Sequence, residues 1–127
     1  MDIAFIIIVI HFIADFIFQD EKWAVGKSKS FKLLLAHTLT YSYIWFCASV
    51  IFISSDDLPS SFYWFGPITF VFHTLTDYYT SKITSRLYAQ GKFGSEVPNL
   101  GFFTMIGLDQ VAHYGQLFLT YHFLNNL

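Results

Sequence analysis

The segment Ile3–Gln19, IAFIIIVIHFIADFIFQ, decides the fold, because only His11, Asp15 and the terminal Gln19 interrupt its apolar residues. A helix of this length approaches the roughly 17 to 25 residues that cross a bilayer. A cleaved signal peptide would carry a basic leader and a small-residue cleavage site, and we find neither around this segment. We therefore interpret Ile3–Gln19 as a retained transmembrane helix.

Three more apolar segments of similar length follow along the chain, separated by short polar connections. No repeat of fixed period is present, and the connections leave no room for a second domain. The sequence therefore predicts an all-α protein, an integral membrane four-helix bundle that forms a single transmembrane domain over residues 1–127. The expected helices span about residues 3–19, 31–53, 62–80 and 102–124.

The composition supports lipid as the solvent of this chain. Hydrophobic residues make up 54% of the 127 residues and charged residues only 13%, which is more apolar surface than a soluble domain of this size can bury. The net charge of −2 and the absence of a long basic run exclude nucleic acid as an expected partner. The single Cys47 excludes a disulfide framework or a thiolate zinc site within one chain.

The basic residues predict the orientation in the membrane. The first connection is flanked by Lys22, Lys27, Lys29 and Lys32, and the third contains Lys82, Arg86 and Lys92, whereas the second has no basic residue. Because basic connections stay in the cytoplasm, we expect both termini on the non-cytoplasmic side. Apolar and polar residues alternate at helical spacing over residues 82–88, which predicts a short interfacial amphipathic segment between the third and fourth helices. A solvated loop is the alternative.

Seven ionisable residues interrupt the apolar segments: His11, Asp15, His37, His73, Asp77, Asp109 and His113. Six of them form three pairs spaced four residues apart, so the members of each pair lie on one face of a helix. At about 1.5 Å of rise per residue from the cytoplasmic end of each helix, all seven fall in one layer roughly 8 to 17 Å deep. The sequence therefore predicts one polar layer to which four helices contribute.

Imidazole and carboxylate ligands converging in an apolar bundle are typical of a divalent metal site. All seven residues are candidate ligands, and Asp15, Asp77 and Asp109 are also candidate acid–base groups. Gln19 and Gln110 are candidates for orienting the ligands. Zinc is the first choice of metal, with manganese or iron as alternatives. The competing interpretation is structural: each histidine bridges helices by hydrogen bonds, each His/Asp pair neutralises itself, and Tyr41 and the other aromatic residues pack or anchor at the interface.

The ordered motifs resemble those of a bacterial and phage family of small integral membrane proteins of unknown function. The resemblance rests on His11, Ala14-Asp15-Phe16, Gln19, Lys27, Leu35-Ala36-His37, His73 with Asp77, and Asp109-Gln110 with His113, which cover nearly the whole chain in order. The family is similar in turn to proteins predicted to be membrane-bound metal-dependent hydrolases. The resemblance therefore implies a bacterial inner-membrane protein and suggests hydrolytic activity.

These observations lead to one functional hypothesis and two alternatives. In the first, the metal activates water against a lipid or lipid-linked phosphoester, and Lys27, Lys29, Lys82 and Arg86 bind the headgroup. In the second, the His/Asp layer belongs to a proton or cation transporter or channel subunit. In the third, the layer is structural in a non-catalytic accessory protein. The sequence leaves open whether the chain is an enzyme; its expected partners are membrane lipid and other copies of itself in a homo-oligomer.

Overall fold

The computed structural model describes residues 2–93 and 100–127, and these residues fold into helices with no strand among them. The helices are α1 (Ile3–Phe12), α2 (Glu21–Gly26), α3 (Phe31–Ser54), α4 (Phe65–Ala89) and α5 (Leu100–Asn125). A π-helical turn, Ile13–Ile17, continues α1, and a 3₁₀ helix, Ser60–Trp64, precedes α4. The prediction of an all-α chain is therefore confirmed for the described residues.

The third expected helix is longer than predicted. Helix α4 continues through residues 82–88, so the amphipathic segment expected there is the end of α4 and not a separate surface helix. No glycine or proline occurs between Ile68 and Gln90 to stop the helix. The left-handed backbone of Gly91, with φ at 66°, follows the end of the helix. Residues 94–99, within the expected third connection, lie outside the described residues.

The first connection contains a helix that the sequence prediction missed. Asp20 accepts a hydrogen bond from the backbone N–H of Lys22 at 2.7 Å and caps α2. This connection then packs against α3. The capping aspartate followed by Glu21 is a recognisable start signal, but six residues are too few to give a hydrophobic period.

The four long elements pack in a closed ring. Helix α4 packs between α3 and α5, α1 packs against α5, and the π-helical turn packs against α3. Between them, one half of the interior is apolar, with a core that includes Ile7, Trp45, Phe62, Leu117 and Leu124. The other half contains the histidines and aspartates, so the ring separates an apolar half from a polar half.

The polar half of the interior is surrounded by a largely apolar surface, which inverts the pattern of soluble proteins. His11, His73, Asp77 and His113 are fully buried, whereas Leu119 is 72% exposed, and Phe5, Phe12, Leu39, Ile51, Val71 and Val111 are also exposed. By length and composition, α3 is the one helix among the described residues that could cross a bilayer, while the apolar stretch Ile3–Ile17 is shorter. Helices α4 and α5 have 25 and 26 residues, but their polar residues lower their hydropathy.

Candidate metal centre

The π-helical turn positions Asp15. The N–H of Phe18 donates to the carbonyl of Ile13 at 3.0 Å, five residues back, which widens the helix around Asp15. Helix termini leave carbonyls without backbone partners, and the side-chain amide of Gln19 donates to the Asp15 carbonyl at 3.0 Å. Gln19 therefore fixes the backbone of Asp15 and not its carboxylate. Single π turns of this kind occur frequently at functional sites.

Four donor atoms from three elements lie close together around His37 Nε2. We call them the four-donor cluster: Asp15 Oδ1, His37 Nε2, His73 Nε2 and Asp77 Oδ2. His37 Nε2 lies 3.1 Å from each of the other three atoms. His73 Nε2 lies 3.7 Å from the Asp15 oxygen and 3.6 Å from the Asp77 oxygen. The π turn, α3 and α4 thus bring together two imidazoles and two carboxylates that are all buried.

These separations fit the edges of a metal coordination shell. Nitrogen and oxygen ligands bind zinc at about 2.0–2.2 Å in a tetrahedron, which puts neighbouring ligand atoms roughly 3.3–3.6 Å apart. The five measured distances in the four-donor cluster run from 3.1 to 3.7 Å. Asp15, His37 and His73 form one group of ligand atoms that all lie within 4.8 Å of one another, and Asp77 belongs with His73 and His113 to another. A cation could therefore contact the first three atoms with little rearrangement, and the Asp77 carboxylate would move toward it to become the fourth ligand.

The cluster also has too few N–H and O–H donors to give each of its acceptor atoms a hydrogen bond. Two imidazole lone pairs cannot face each other at the 3.1 Å that separates His37 from His73, so either a hydrogen or a cation must lie between them. Asp15 Oδ1 and Asp77 Oδ1 are buried without a hydrogen-bond partner, and so is His73 Nδ1. Buried polar atoms are usually satisfied, and a bound cation would satisfy the carboxylates.

His113 forms a second group with His73 and Asp77 that could hold a metal ion. Its Nε2 atom lies 3.7 Å from Asp77 Oδ1, and its Nδ1 atom lies 3.4 Å from Asp109 Oδ2. A metal-ligating histidine commonly directs its other ring nitrogen to a carboxylate. Asp109 is held in turn by a hydrogen bond from the Thr80 hydroxyl. Asp109 itself belongs to neither metal-binding group. Its carboxylate lies on the Nδ1 side of the His113 ring, away from Nε2.

His11, also a candidate ligand, belongs to neither group and has both ring nitrogens engaged. The Tyr41 hydroxyl lies 2.6 Å from its Nδ1, and the Gln110 Oε1 atom lies 2.8 Å from its Nε2. The Gln110 amide then donates to Asp15 Oδ2 at 3.2 Å and to Asp109 Oδ2 at 3.3 Å. His11 therefore orients Gln110, and Gln110 orients the two carboxylates.

Tyr41 is a site residue that the sequence interpretation assigned to packing. It is fully buried, and its ring stacks on His73 with 3.8 Å between centroids and 12° between planes. Together with the hydrogen bond to His11, this contact fixes two of the four histidines. The spacing of four residues between His37 and Tyr41 in α3 was the available signal.

Lys27 reaches into the site from the first connection. Its ammonium donates to Asp77 Oδ2 at 2.8 Å, and its side chain is 16% exposed. Burial alone would lower the pKa of Lys27, but the Asp77 and Asp15 carboxylates outweigh burial and raise the pKa above its usual value. When ionised, Asp15, Asp77, Asp109 and Lys27 leave two negative charges, which one divalent cation would neutralise.

A cavity of about 740 Å³ adjoins the centre. Asp15, Asp109 and Gln110 form part of its wall, and Lys27 and Lys29 also line it. The remaining two candidate headgroup ligands lie elsewhere: Lys82 stacks on the ring of Tyr78 at 3.8 Å, and Arg86 is exposed and outside the cavity wall. Lys29 is therefore the candidate headgroup ligand that lines the cavity without an ion pair to the cluster.

The chain was compared with families of proteins, with curated proteins and with solved structures. The profile of one family, described as "Protein of unknown function (DUF3307)", matches residues 3–127. No curated protein and no solved structure matches.

Proposed function

The chain belongs to this family of proteins of unknown function, and we propose that it is a membrane-embedded metal-binding protein that hydrolyses a lipid or lipid-linked phosphoester. The observation that carries the proposal is the four-donor cluster, with its separations of 3.1 to 3.7 Å. Different features of the molecule support the bilayer, the metal and the reaction.

Membrane embedding is supported by the inverted distribution of polarity. Exposed Phe, Ile, Leu and Val side chains surround a buried layer of His and Asp. In water this arrangement would expose an apolar patch far larger than soluble monomers carry, whereas lipid solvates it without cost. Ionisable residues within membranes usually face the interior and pair with one another, and they mark functional sites.

The proposed topology predicts the labelling of cysteines from one side of the membrane. In a Cys47→Ala background, Ser55→Cys and Asn126→Cys should react with an impermeant maleimide added outside intact spheroplasts, because both positions are exposed at the non-cytoplasmic end. Glu21→Cys, exposed in the first connection, should react only after lysis. Equal labelling of all three before lysis, or recovery of the chain in the soluble fraction, would contradict the topology.

The proposed metal is bound by Asp15, His37, His73 and Asp77, with His113 as a further candidate ligand through Nε2. Nitrogen and oxygen donors without thiolate favour zinc first and manganese or iron next. His11, Gln110 and Asp109 act as positioning residues, as their hydrogen bonds indicate. A divalent ion held there would lower the pKa of a bound water and polarise a phosphoryl oxygen.

The chain's own residues supply the remaining requirements for hydrolysis. Asp109 lines the cavity and belongs to neither metal-binding group, so its carboxylate is free to accept a proton from water. Gln110 and Thr80 hold that carboxylate in place through hydrogen bonds. Lys29, at the same cavity, offers an ammonium for the phosphate. The cluster lies against the cavity, where a headgroup can reach it.

Asp109→Asn should separate catalysis from metal binding. We expect release of phosphate or of the headgroup from phospholipid micelles by the zinc-loaded protein to fall about 100-fold or more, the usual contribution of a general base. With zinc supplied at more than about 1,000 times the wild-type Kd, zinc content should stay within about twofold of wild type, because the four-donor cluster is intact and loss of a carboxylate that positions a ligand weakens metal affinity only about 10- to 100-fold. Unchanged turnover in the variant would remove Asp109 from the reaction. Zinc binding without turnover in the wild type would favour the non-catalytic accessory protein.

Transport is less well supported, because the polar layer does not continue to the far surface. Beyond the histidines, the Gln116 amide donates to Thr69 at 3.3 Å and to Thr120 at 2.9 Å. Next along the interior, most of the described buried residues are apolar, including Phe62, Phe65, Leu117 and Leu124, and the buried Ser49 hydroxyl donates to the Trp45 carbonyl of its own helix. This apolar half favours a site open at one end over a conduit.

A further inference from the structure

The cavity beside the cluster has a polar inner end and an extended wall. Its inner end is formed by Asp15, Asp109 and Gln110, and one wall follows α4 from Thr80 to Tyr88. At about 1.5 Å per residue, that wall is roughly 12 Å long. A volume of about 740 Å³ falls in the range of small-molecule sites, so the cavity could hold a headgroup together with the start of a hydrocarbon chain.

One side of the cavity is apolar and reaches the outer surface. Phe16, Val25, Tyr88 and Ile106 line it, and each of them is exposed. The outer surface is the face that lipid would cover, so a hydrocarbon chain could enter from the side without leaving the membrane. This arrangement fits an amphiphile better than a water-soluble ligand.

Two buried polar atoms in the wall have no partner. Ser81 Oγ and Gln19 Oε1 make no hydrogen bond, although both residues line the cavity. Leaving such atoms unpaired costs free energy. The hydroxyl can donate or accept, and the amide oxygen accepts only. Both atoms are buried in the wall, so a rotation of either side chain toward the cavity would let a ligand hydroxyl satisfy it.

The charged groups of the wall limit the charge of the ligand. Lys27 is already paired with Asp77, which leaves Lys29 for a phosphate. Asp15 belongs to the four-donor cluster, and Asp109 accepts hydrogen bonds from Thr80 and Gln110. Asp15, Asp77, Asp109 and Lys27 together leave two negative charges, which a divalent cation in the centre would neutralise. The metal-loaded site therefore has no free counter-charge for a cationic headgroup.

We infer that this cavity binds a phosphodiester lipid whose headgroup carries neutral hydroxyl groups, such as a glycerol- or sugar-phosphate lipid. The inference rests on the proposed function for its reaction but not for its binding. Lys29 contacts the phosphate, Ser81 and Gln19 bind headgroup hydroxyls, and the apolar wall contacts the chain. The phosphate then lies beside Asp109 and the four-donor cluster.

The test compares two lipids of equal charge. Phosphatidylglycerol and phosphatidylethanol carry the same phosphodiester, but only the first has headgroup hydroxyls. We expect the protein in detergent, with a chelator present, to bind phosphatidylglycerol about tenfold more tightly, as two net hydrogen bonds allow. In the zinc-loaded protein, phosphatidylethanolamine, which offers an ammonium in place of hydroxyls, should bind more weakly than phosphatidylglycerol. The water-soluble headgroup glycerophosphoglycerol should bind at least about tenfold more weakly than the lipid, because it has no chain.

Substitutions in the cavity wall test which residues give the preference for phosphatidylglycerol. Ser81→Ala should reduce the preference for phosphatidylglycerol about threefold without changing phosphatidylethanol binding. Lys29→Ala should weaken both lipids equally. Ser55→Ala is the matched control, since this exposed hydroxyl bonds its own helix in the opposite half and should change neither affinity.

The outcomes separate this inference from the proposed function. In the chelator, equal binding of phosphatidylglycerol and phosphatidylethanol, or equal binding of the lipid and its soluble headgroup, would overturn the inference. Tighter binding of phosphatidylethanolamine than of phosphatidylglycerol to the zinc-loaded protein would also overturn it. A preference that survives in the chelator, together with absence of metal from the untreated protein, would support the lipid site and remove the hydrolase.

Discussion

Asp77→Asn is expected to weaken zinc binding by at least about 100-fold, the largest effect of any single substitution in the centre. Asp77 contributes one oxygen to the four-donor cluster and directs the other toward His113 at 3.7 Å. Substitution of a residue that hydrogen-bonds to a metal ligand typically lowers metal affinity about 10- to 100-fold, and substitution of the ligand itself should lower it further. Elemental analysis of protein purified in detergent, with competition against a chromophoric chelator, measures the loss.

Asp77→Asn also removes the charged partner of the Lys27 ammonium, so this variant could lose metal because it misfolds. His37→Ala removes a different ligand and leaves the Lys27–Asp77 ion pair intact, and it should lose zinc to a similar extent. Asp57→Asn is the matched control, because Asp57 is exposed in the second connection. Full zinc occupancy in both the Asp77 and His37 variants, with the fold retained, would exclude the four-donor cluster as the zinc site.

Zinc should raise the melting temperature of the wild-type protein by about 12 to 16 °C. A ligand that binds only the folded state at about 1,000 times its Kd stabilises that state by about 4 kcal/mol, and for a domain of this size each kcal/mol shifts Tm by roughly 3 to 4 °C. The physical reason is that the chelated protein keeps two carboxylates and two imidazoles buried without a cation. Melting curves in excess chelator and in excess zinc give the shift.

The ligand variants provide the control for the thermal experiment. His37→Ala should lose most of the shift, and Asp57→Asn should keep it. A shift of equal size in both variants would mean that zinc binds elsewhere. No shift in the wild type would leave the His/Asp layer as structural or proton-carrying.

The sequence predicted the long helices because their apolar runs have the right length, but it missed details that depend on local backbone geometry. Helix α2 is too short to show a period, and its capping Asp20 was interpreted as part of a polar connection. The sequence predicts the end of α4 at Thr80 because the residues become polar after it, whereas the helix continues to Ala89, shortly before Gly91. A change from apolar to polar residues marks where the helix leaves an apolar environment, whereas a glycine in the left-handed conformation ends the helix itself.

The sequence also identified the residues of the polar layer but not their division of labour. Pairs four residues apart put His73 and Asp77 on one face, and the structure brings both together with Asp15 and His37. Spacing cannot show that a π turn widens the helix at Asp15, or that the rings of His11 bond to Tyr41 and Gln110. It also cannot show that Lys27 folds back onto Asp77 across 50 residues. These contacts depend on rotamers and long-range packing.

The Lys27–Asp77 ion pair has a consequence for the choice of ion. With Lys27 in place, the carboxylates of Asp15, Asp77 and the partly buried Asp109 lack two positive charges. A sodium ion would therefore leave one negative charge uncompensated, and a trivalent ion would leave one positive charge. Each uncompensated charge in the interior costs several kcal/mol. The lysine thus makes the site select ions by valence before ligand geometry discriminates among the divalent metals.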